Sequence, residues 1–209
     1  MSIDTIRPSR WLKPLLGVAA AALLAGCAGQ ATQFHRYTLP GAEVAASPTD
    51  SGLPASAPQV AVSPIRMADY LNGQGVIYQL SDIEINEAQG HLWADSIAAQ
   101  LTRALRQTLE DNLDRRRVMM EGTTLEGLDI GVRVDLTAFQ GRYDGVAVVA
   151  GRYQLRDRDG GLISQRAFNV EQPLGEDGYA ALVRALSAGW QQVSEQIAAE
   201  IRSVDAAQS

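Results

Sequence analysis

Apolar residues recur with helical spacing in two stretches and with alternating spacing between them. Over Leu92–Leu113, Trp93, Ala94, Ile97, Ala98, Leu101, Ala104, Leu105 and Leu109 fall on one side of a 3.6-residue wheel. Asp95, Ser96, Gln100, Arg103, Arg106, Gln107 and Glu110 fall on the other, which predicts a surface helix with one buried face. A second helix opens near Gly178 and runs to about Val204, with Leu182, Leu186, Trp190, Val193, Ile197 and Ile201 as a narrow apolar stripe. From Val118 to Pro173 the period is two. Ile130, Val132, Val134, Leu136 and Ala138 alternate with Asp129, Arg133, Asp135 and Thr137, the pattern of a half-buried strand. Gln140-Gly141 to Asp144-Gly145 marks a turn, and Val146–Leu155, apolar on both faces at its start, predicts a central strand. Asp159-Gly160-Gly161 predicts a second hairpin turn, because glycine and aspartate tolerate positive φ. Leu162–Val170 then returns as the third strand of an antiparallel meander.

Shorter elements precede these. Val60, Val62 and Ile65 suggest a strand ending around Ser63-Pro64; Gly75–Leu80 and Ile83–Ile85 suggest two more, with Met67–Gly73 as a loop. Phe34–Leu39 carries strand-forming residues and predicts a first short strand. Two amphipathic helices and such a sheet have one economical arrangement, a two-layer α+β sandwich: a largely antiparallel sheet with both long helices on one face. Trp93 and Trp190 are its expected core anchors. Residues 28–59 are rich in Ala, Ser, Gly and Pro, and Gly41–Pro58 reads as a flexible linker. The folded domain is therefore expected over 59–209, after an N-terminal segment 27–58.

The first 26 residues have another character. Arg7, Arg10 and Lys13 lead into the apolar run Leu15–Leu24, which ends in Leu24-Ala25-Gly26-Cys27. A positive start, a short apolar middle and small residues at the cut describe a secretory signal peptide over 1–26. A membrane-spanning helix needs about 20 apolar residues, and the run is too short for one. Leu-Ala-Gly-Cys also looks like a bacterial lipobox, in which the cysteine sulfur takes a diacylglycerol and the new N-terminus an acyl chain. Cys27 is the expected lipidation site and the single cysteine of the chain, so no disulfide is expected. Several acyl chains together make a stable anchor. Alanine at position 28, in place of aspartate, favours sorting to the outer membrane.

Charge narrows the partners. The chain carries −6, and losing residues 1–26 removes Arg7, Arg10, Lys13 and Asp4 to leave −8. That argues against nucleic acid and against broad adhesion to anionic lipid. No catalytic constellation stands out. His35 and His91 are far apart in sequence and lack metal-ligand spacing. No Gly-x-Ser-x-Gly elbow or phosphate-cradling glycine loop is present. Asp82, Glu84 and Glu87 read as an acidic loop and edge, and Arg115-Arg116-Arg117 as cations placed at a helix C-terminus. No metal, cofactor or enzymatic activity is expected. One segment invites a partner: Pro64–Leu71 carries Met67, Asp69, Tyr70 and Leu71, and tyrosine and methionine are enriched at interfaces.

The order of these pieces resembles a known family. Tyr37-Thr38-Leu39 after a lipobox is followed by Val60–Ile65, Ala68-Asp69-Tyr70-Leu71, Val76-Ile77-Tyr78, His91-Leu92-Trp93-Ala94-Asp95, and Tyr179–Val183 before the last helix. This resembles the PqiC/YmbA family of ABC-type transport auxiliary lipoproteins, from about Phe34 to Ile201. The resemblance implies a lipid-anchored protein on the periplasmic face of the outer membrane. It would serve an MCE-type phospholipid transport system, with an MCE-domain protein and its ABC transporter as partners. A homo-oligomeric ring is also implied for members that dock an MCE tube. The family brings no catalytic residues. The rival reading is a periplasmic lipid-binding carrier that holds an acyl chain between helices and sheet.

Overall fold

The computed structural model describes residues 33–42, 52–54, 56–121 and 128–208. Phe34–Ser209 forms one compact unit. In chain order its elements are β1 His35–Tyr37, β2 Gln59–Val62, β3 Arg66–Met67, a 3-10 turn Asp69–Leu71, β4 Gly75–Gln79, β5 Ile85–Trp93, α1 Ile97–Asn112, β6 Arg117–Met120, β7 Leu128–Arg142, β8 Val146–Arg156, β9 Leu162–Pro173 and α2 Tyr179–Gln208. The strands join in one sheet and the two helices pack together against it, the expected α+β sandwich. Among the described residues no helix is long and apolar enough to cross a membrane.

The meander forms as the alternation predicts: β8 pairs antiparallel with β7 on one side and β9 on the other. Gly145 and Gly160 both sit at φ +81 in the connecting turns, and Asp157 Oδ1 accepts the N–H groups of Asp159 and Gly161 to close the second. The far edge of β7 is parallel and is shared. It takes β2 near its start, β3 at Asp135–Leu136 and β4 at Gly141. β6 then extends β2, while β5 and β1 extend β4. The sheet therefore forks beyond β7 and is more mixed than the meander alone implies.

A register shift between Leu136 and Ala138 resets the alternation of β7. Ile130, Val132, Val134 and Leu136 are buried as predicted, but Phe139 follows them into the core in place of Ala138. One extra residue in a strand does this, because side chains change face with every residue. Gly151 lies opposite Leu136 at that point, where a Cβ would run into the Asp135 carbonyl oxygen.

α2 buries the whole predicted stripe, Leu182 through Ile201. Trp190 is 1% exposed, and its indole N–H donates to the Leu101 carbonyl of α1 at 3.0 Å. Thr108 Oγ1 donates to Gln191 Oε1 at 3.0 Å along the same seam.

Three expectations need correction. The strand expected at Ile83–Ile85 instead begins at Ile85 and runs to Trp93, so α1 starts at Ile97 and not Leu92. Trp93 is a core anchor, as expected, but from a strand: its N–H donates to the Gln74 carbonyl, and it pairs with Tyr37. Backbone pairing with two neighbours outweighs the helical spacing of one turn. Gln100, placed on the solvent side of the wheel, is 1% exposed. Its amide donates to the Asp95 carbonyl and accepts the Leu39 N–H at 2.8 Å, so a polar side chain is buried because it is satisfied.

The third correction concerns the domain boundary. Leu39 and Ala42 belong to the core. Ala94 N–H donates to the Tyr37 carbonyl, Arg103 Nε to the Ala42 carbonyl, and Ser187 Oγ to the Pro40 carbonyl. The folded unit thus begins at Phe34, and Gly41–Pro58 connects two parts of it. Leu39→Ala is expected to cost about 2–5 kcal/mol by chemical denaturation; an unchanged midpoint would return Phe34–Ala42 to the linker.

Candidate functional site

The Pro64–Leu71 segment is drawn onto β7. Ser63 N–H donates to the Val132 carbonyl and Ala68 N–H to the Leu136 carbonyl, both at 3.0 Å, with Met67 in register with Leu136. Met67 packs against the core and Leu71 is buried. The expected loop is thus a two-residue strand and a 3-10 turn. Tyr70 lies across the bulge, its hydroxyl 2.8 Å from both the Thr137 carbonyl oxygen and the Gln140 side-chain amide. Both partners present oxygen acceptors, so the single phenolic proton serves one of them at a time. Burial pushes the Tyr70 phenol up. Pro64, Arg66, Asp69 and the rim of Tyr70, 38% exposed, are what this segment offers a partner. Tyr70→Phe is expected to cost about 1 kcal/mol, read as a lower denaturation midpoint.

The structure assembles a second group from distant residues. β1 and β5 place His35 opposite His91, and the two rings stack with centroids 5.0 Å apart. Tyr179, first residue of α2, stacks on the other side of His91 at 3.8 Å, and Tyr78 meets Tyr179 edge-on. The Tyr37 hydroxyl lies 2.9 Å from His91 Nδ1. This contact couples the His91 tautomer to the Tyr37 hydroxyl: a neutral ring protonated on Nε2 accepts from it, and one protonated on Nδ1 donates to it. Burial and the Tyr78 hydroxyl push the Tyr179 phenol up to about 12. Neither histidine stands at a helix start. Their meeting follows from pairing strands more than fifty residues apart, for which the sequence carries no local signal.

Burial, then the nearby His35, hold the His91 imidazole below its ordinary value of 6.5. The folded state therefore binds this proton less readily than the unfolded chain, and stability falls as pH drops below about 6.5. The melting temperature is expected to decline from pH 7 to 5.5, and His91→Gln to flatten that decline; an unchanged slope would place the pH dependence elsewhere.

The remaining candidates separate. Among Asp82, Glu84 and Glu87, the last accepts the Gly75 N–H at 2.7 Å and latches β4 to β5, while the other two stand exposed beyond it. Among the described residues no group of three His, Cys, Asp or Glu is placed to hold a metal ion. The arginine run divides. Arg116, its side chain 9% exposed, clamps Asp205 near the end of α2 through Nε and Nη2. Arg202 in turn donates to the Asn112 carbonyl at the end of α1. Arg116 thus ties helix ends together, an extension of the helix-terminus role. Cys27 and the signal segment lie outside the described residues.

With this geometry the family can be tested directly. The model of the ABC-type transport auxiliary lipoprotein component family matches residues 37–198. The chain belongs to this family. The match runs from Tyr37, the last residue of β1, into α2 as far as residue 198, and includes the 3-10 turn, the β4–β5 hairpin and the aromatic edge apart from His35. The intermembrane transport lipoprotein PqiC of Escherichia coli (strain K12) is 33% identical over 196 residues, covering 91% of this chain and 98% of its own. A crystal structure described only as that of an uncharacterized protein superposes with a TM-score of 0.68 at 32% identity, covering 81% of this chain and 99% of the other. A protein from Xanthomonas campestris shares the fold with a TM-score of 0.66 at 18% identity, covering 84% and 99%.

Proposed function

We propose that this auxiliary lipoprotein is an outer-membrane-anchored subunit of an MCE/ABC-type intermembrane lipid transport system, which it tethers or docks at the membrane. The observation that carries the reading is the likeness to PqiC, an intermembrane transport lipoprotein, over nearly the full length of both chains. Acylated Cys27 would hold the protein on the periplasmic face, with an MCE-domain protein and its ABC transporter as partners. A homo-oligomeric ring is compatible with this role.

The corrected boundary sharpens the tether. Slack was expected from residues 28–33 and from Gly41–Pro58 together. Because Phe34–Ala42 is folded in, seven peptide units of chain separate Cys27 from the folded unit at Phe34. Seven peptide units reach at most about 25 Å. The anchor therefore acts as a short leash, holding the domain close to the membrane where it can receive the end of a transporter.

The carrier reading draws less support from the fold. Leu101, Leu105, Leu186, Trp190, Val193 and Ile197 fill the helix–sheet gap at 0–1% exposure. Where α2 passes over β8 and β9 a cleft of about 430 Å³ remains, but Arg166, Gln196, Glu200 and Ser203 share its lining. An acyl chain gains little from such walls, since apolar burial is what would hold it.

Cys27→Ser is expected to remove the protein from the outer-membrane fraction and, because the cut at Cys27 follows acylation, to leave it as the longer uncleaved chain on a gel. The wild-type lipoprotein, purified from its native membranes, is expected to recover an MCE subunit and an ABC ATPase by mass spectrometry. Recovery of neither would overturn the transport assignment. A co-purifying phospholipid, found by native mass spectrometry of the soluble domain, would favour the carrier.

A further inference from the structure

The most exposed large aliphatic side chain of the described residues is Ile83, 89% exposed at the tip between β4 and β5. Leu80 at 52% and Ile85 at 45% stand beside it. Isolated exposed apolar residues are ordinary, but three within six positions form a patch. The tip is also held in shape. Leu80 N–H donates to the Glu84 carbonyl at 2.8 Å, and Ser81 Oγ accepts the N–H groups of Ile83 and Glu84 at 3.4 and 3.2 Å. A patch fixed before contact loses less conformational entropy on binding.

Charge selects the occupant. Asp82 and Glu84 flank Ile83 directly, and Glu87 follows. From Met67 to Thr102 the chain has no arginine or lysine. Membrane-seeking elements pair apolar residues with cations or with interfacial Trp and Tyr, and this tip has neither. A second copy is a poor fit as well. The chain is acidic overall, and in the cleft of about 310 Å³ between the ends of α1 and α2 Asp114 and Asp205 offset Arg115, Arg116 and Arg202. What complements an aliphatic tip rimmed by carboxylates is an apolar pocket on another protein, rimmed by arginine or lysine.

We infer that the Leu80–Ile85 tip is the surface by which this lipoprotein docks its transporter, and that the MCE subunit presents the basic-rimmed apolar pocket that receives it. This rests on the function proposed above and moves the docking surface away from Met67, Asp69, Tyr70 and Leu71. Ile83 is the anchor of the contact, and Asp82 and Glu84 set its orientation.

The test uses the full lipidated protein in its native membranes, with a photo-crosslinking amino acid at position 83 and parallel capture of a tagged MCE subunit. Cross-linking from 83 to the MCE subunit is expected. Ile83→Asp is expected to lower capture at least about tenfold, the scale of an interface hot spot, and Asp82→Lys with Glu84→Lys to lower it too. All keep the wild-type melting temperature, because the replaced side chains point into solvent. If the wild type captures the MCE subunit and Ile83→Asp captures it equally, the tip is not the dock and the transport role stands. Loss of capture by Asp69→Lys alone would return the dock to the 3-10 turn. Cross-links to lipid or to a second copy would overturn the tip assignment. If the wild type captures no MCE subunit, the transport role falls and this inference with it.

Discussion

Strand β7 pairs with β8 along nearly all of its length and gives its other edge to β2, β3 and β4 in turn. Everything else in the domain is reached through that arrangement. Three separate strands can share one edge because each is short and the chain leaves the sheet between them. A bulge at Thr137 interrupts the ladder with β8. It turns Phe139 into the core and leaves Gln140 on the other face, where Tyr70 covers it. A strand of fifteen residues twists strongly if kept regular, and an extra residue lets both halves present a buried face to the helices.

Much of the polar chemistry that survives in the described residues is spent on holding this frame. Arg116 ties the chain after α1 to the last turn of α2, Gln100 anchors Leu39, and Glu87 latches the start of β4. On the open face of the meander Arg142 binds Glu171 and Asp144, holding both carboxyls below their usual range. Arg66 and Arg152 both approach Asp135 there. These exposed pairs add little stability individually, but they neutralise the cations of an acidic chain. At the β4–β5 tip Asp82 and Glu84 stand exposed on either side of Ile83.

The N-terminal strand belongs to the same folded unit as the helices, so a lipid on Cys27 would hold the whole domain, not a flexible arm. The core is filled, and the surface carries a shaped apolar tip.

The local periodicities were legible without any structure. The α2 stripe, the meander, both glycine turns and the strand at Gln59–Val62 follow from spacing alone, because helices and strands repeat their side-chain directions over short distances. The order of motifs was enough to indicate the family. Three things were not legible, each for a reason of distance. Trp93 sits in a strand because β1 and β4 supply backbone partners, which outweighs a turn of helical spacing. Gln100 is buried because Leu39, sixty-one residues away, needs its acceptor. His35 and His91 meet because two strands far apart in sequence pair in parallel. The sequence by itself determined which faces are apolar, where the chain turns and how it is expected to be anchored. Tertiary structure decided which residues close the core and that the folded unit begins at Phe34. It also decided which apolar side chains remain in solvent, since pairing and coverage depend on partners that no local pattern names.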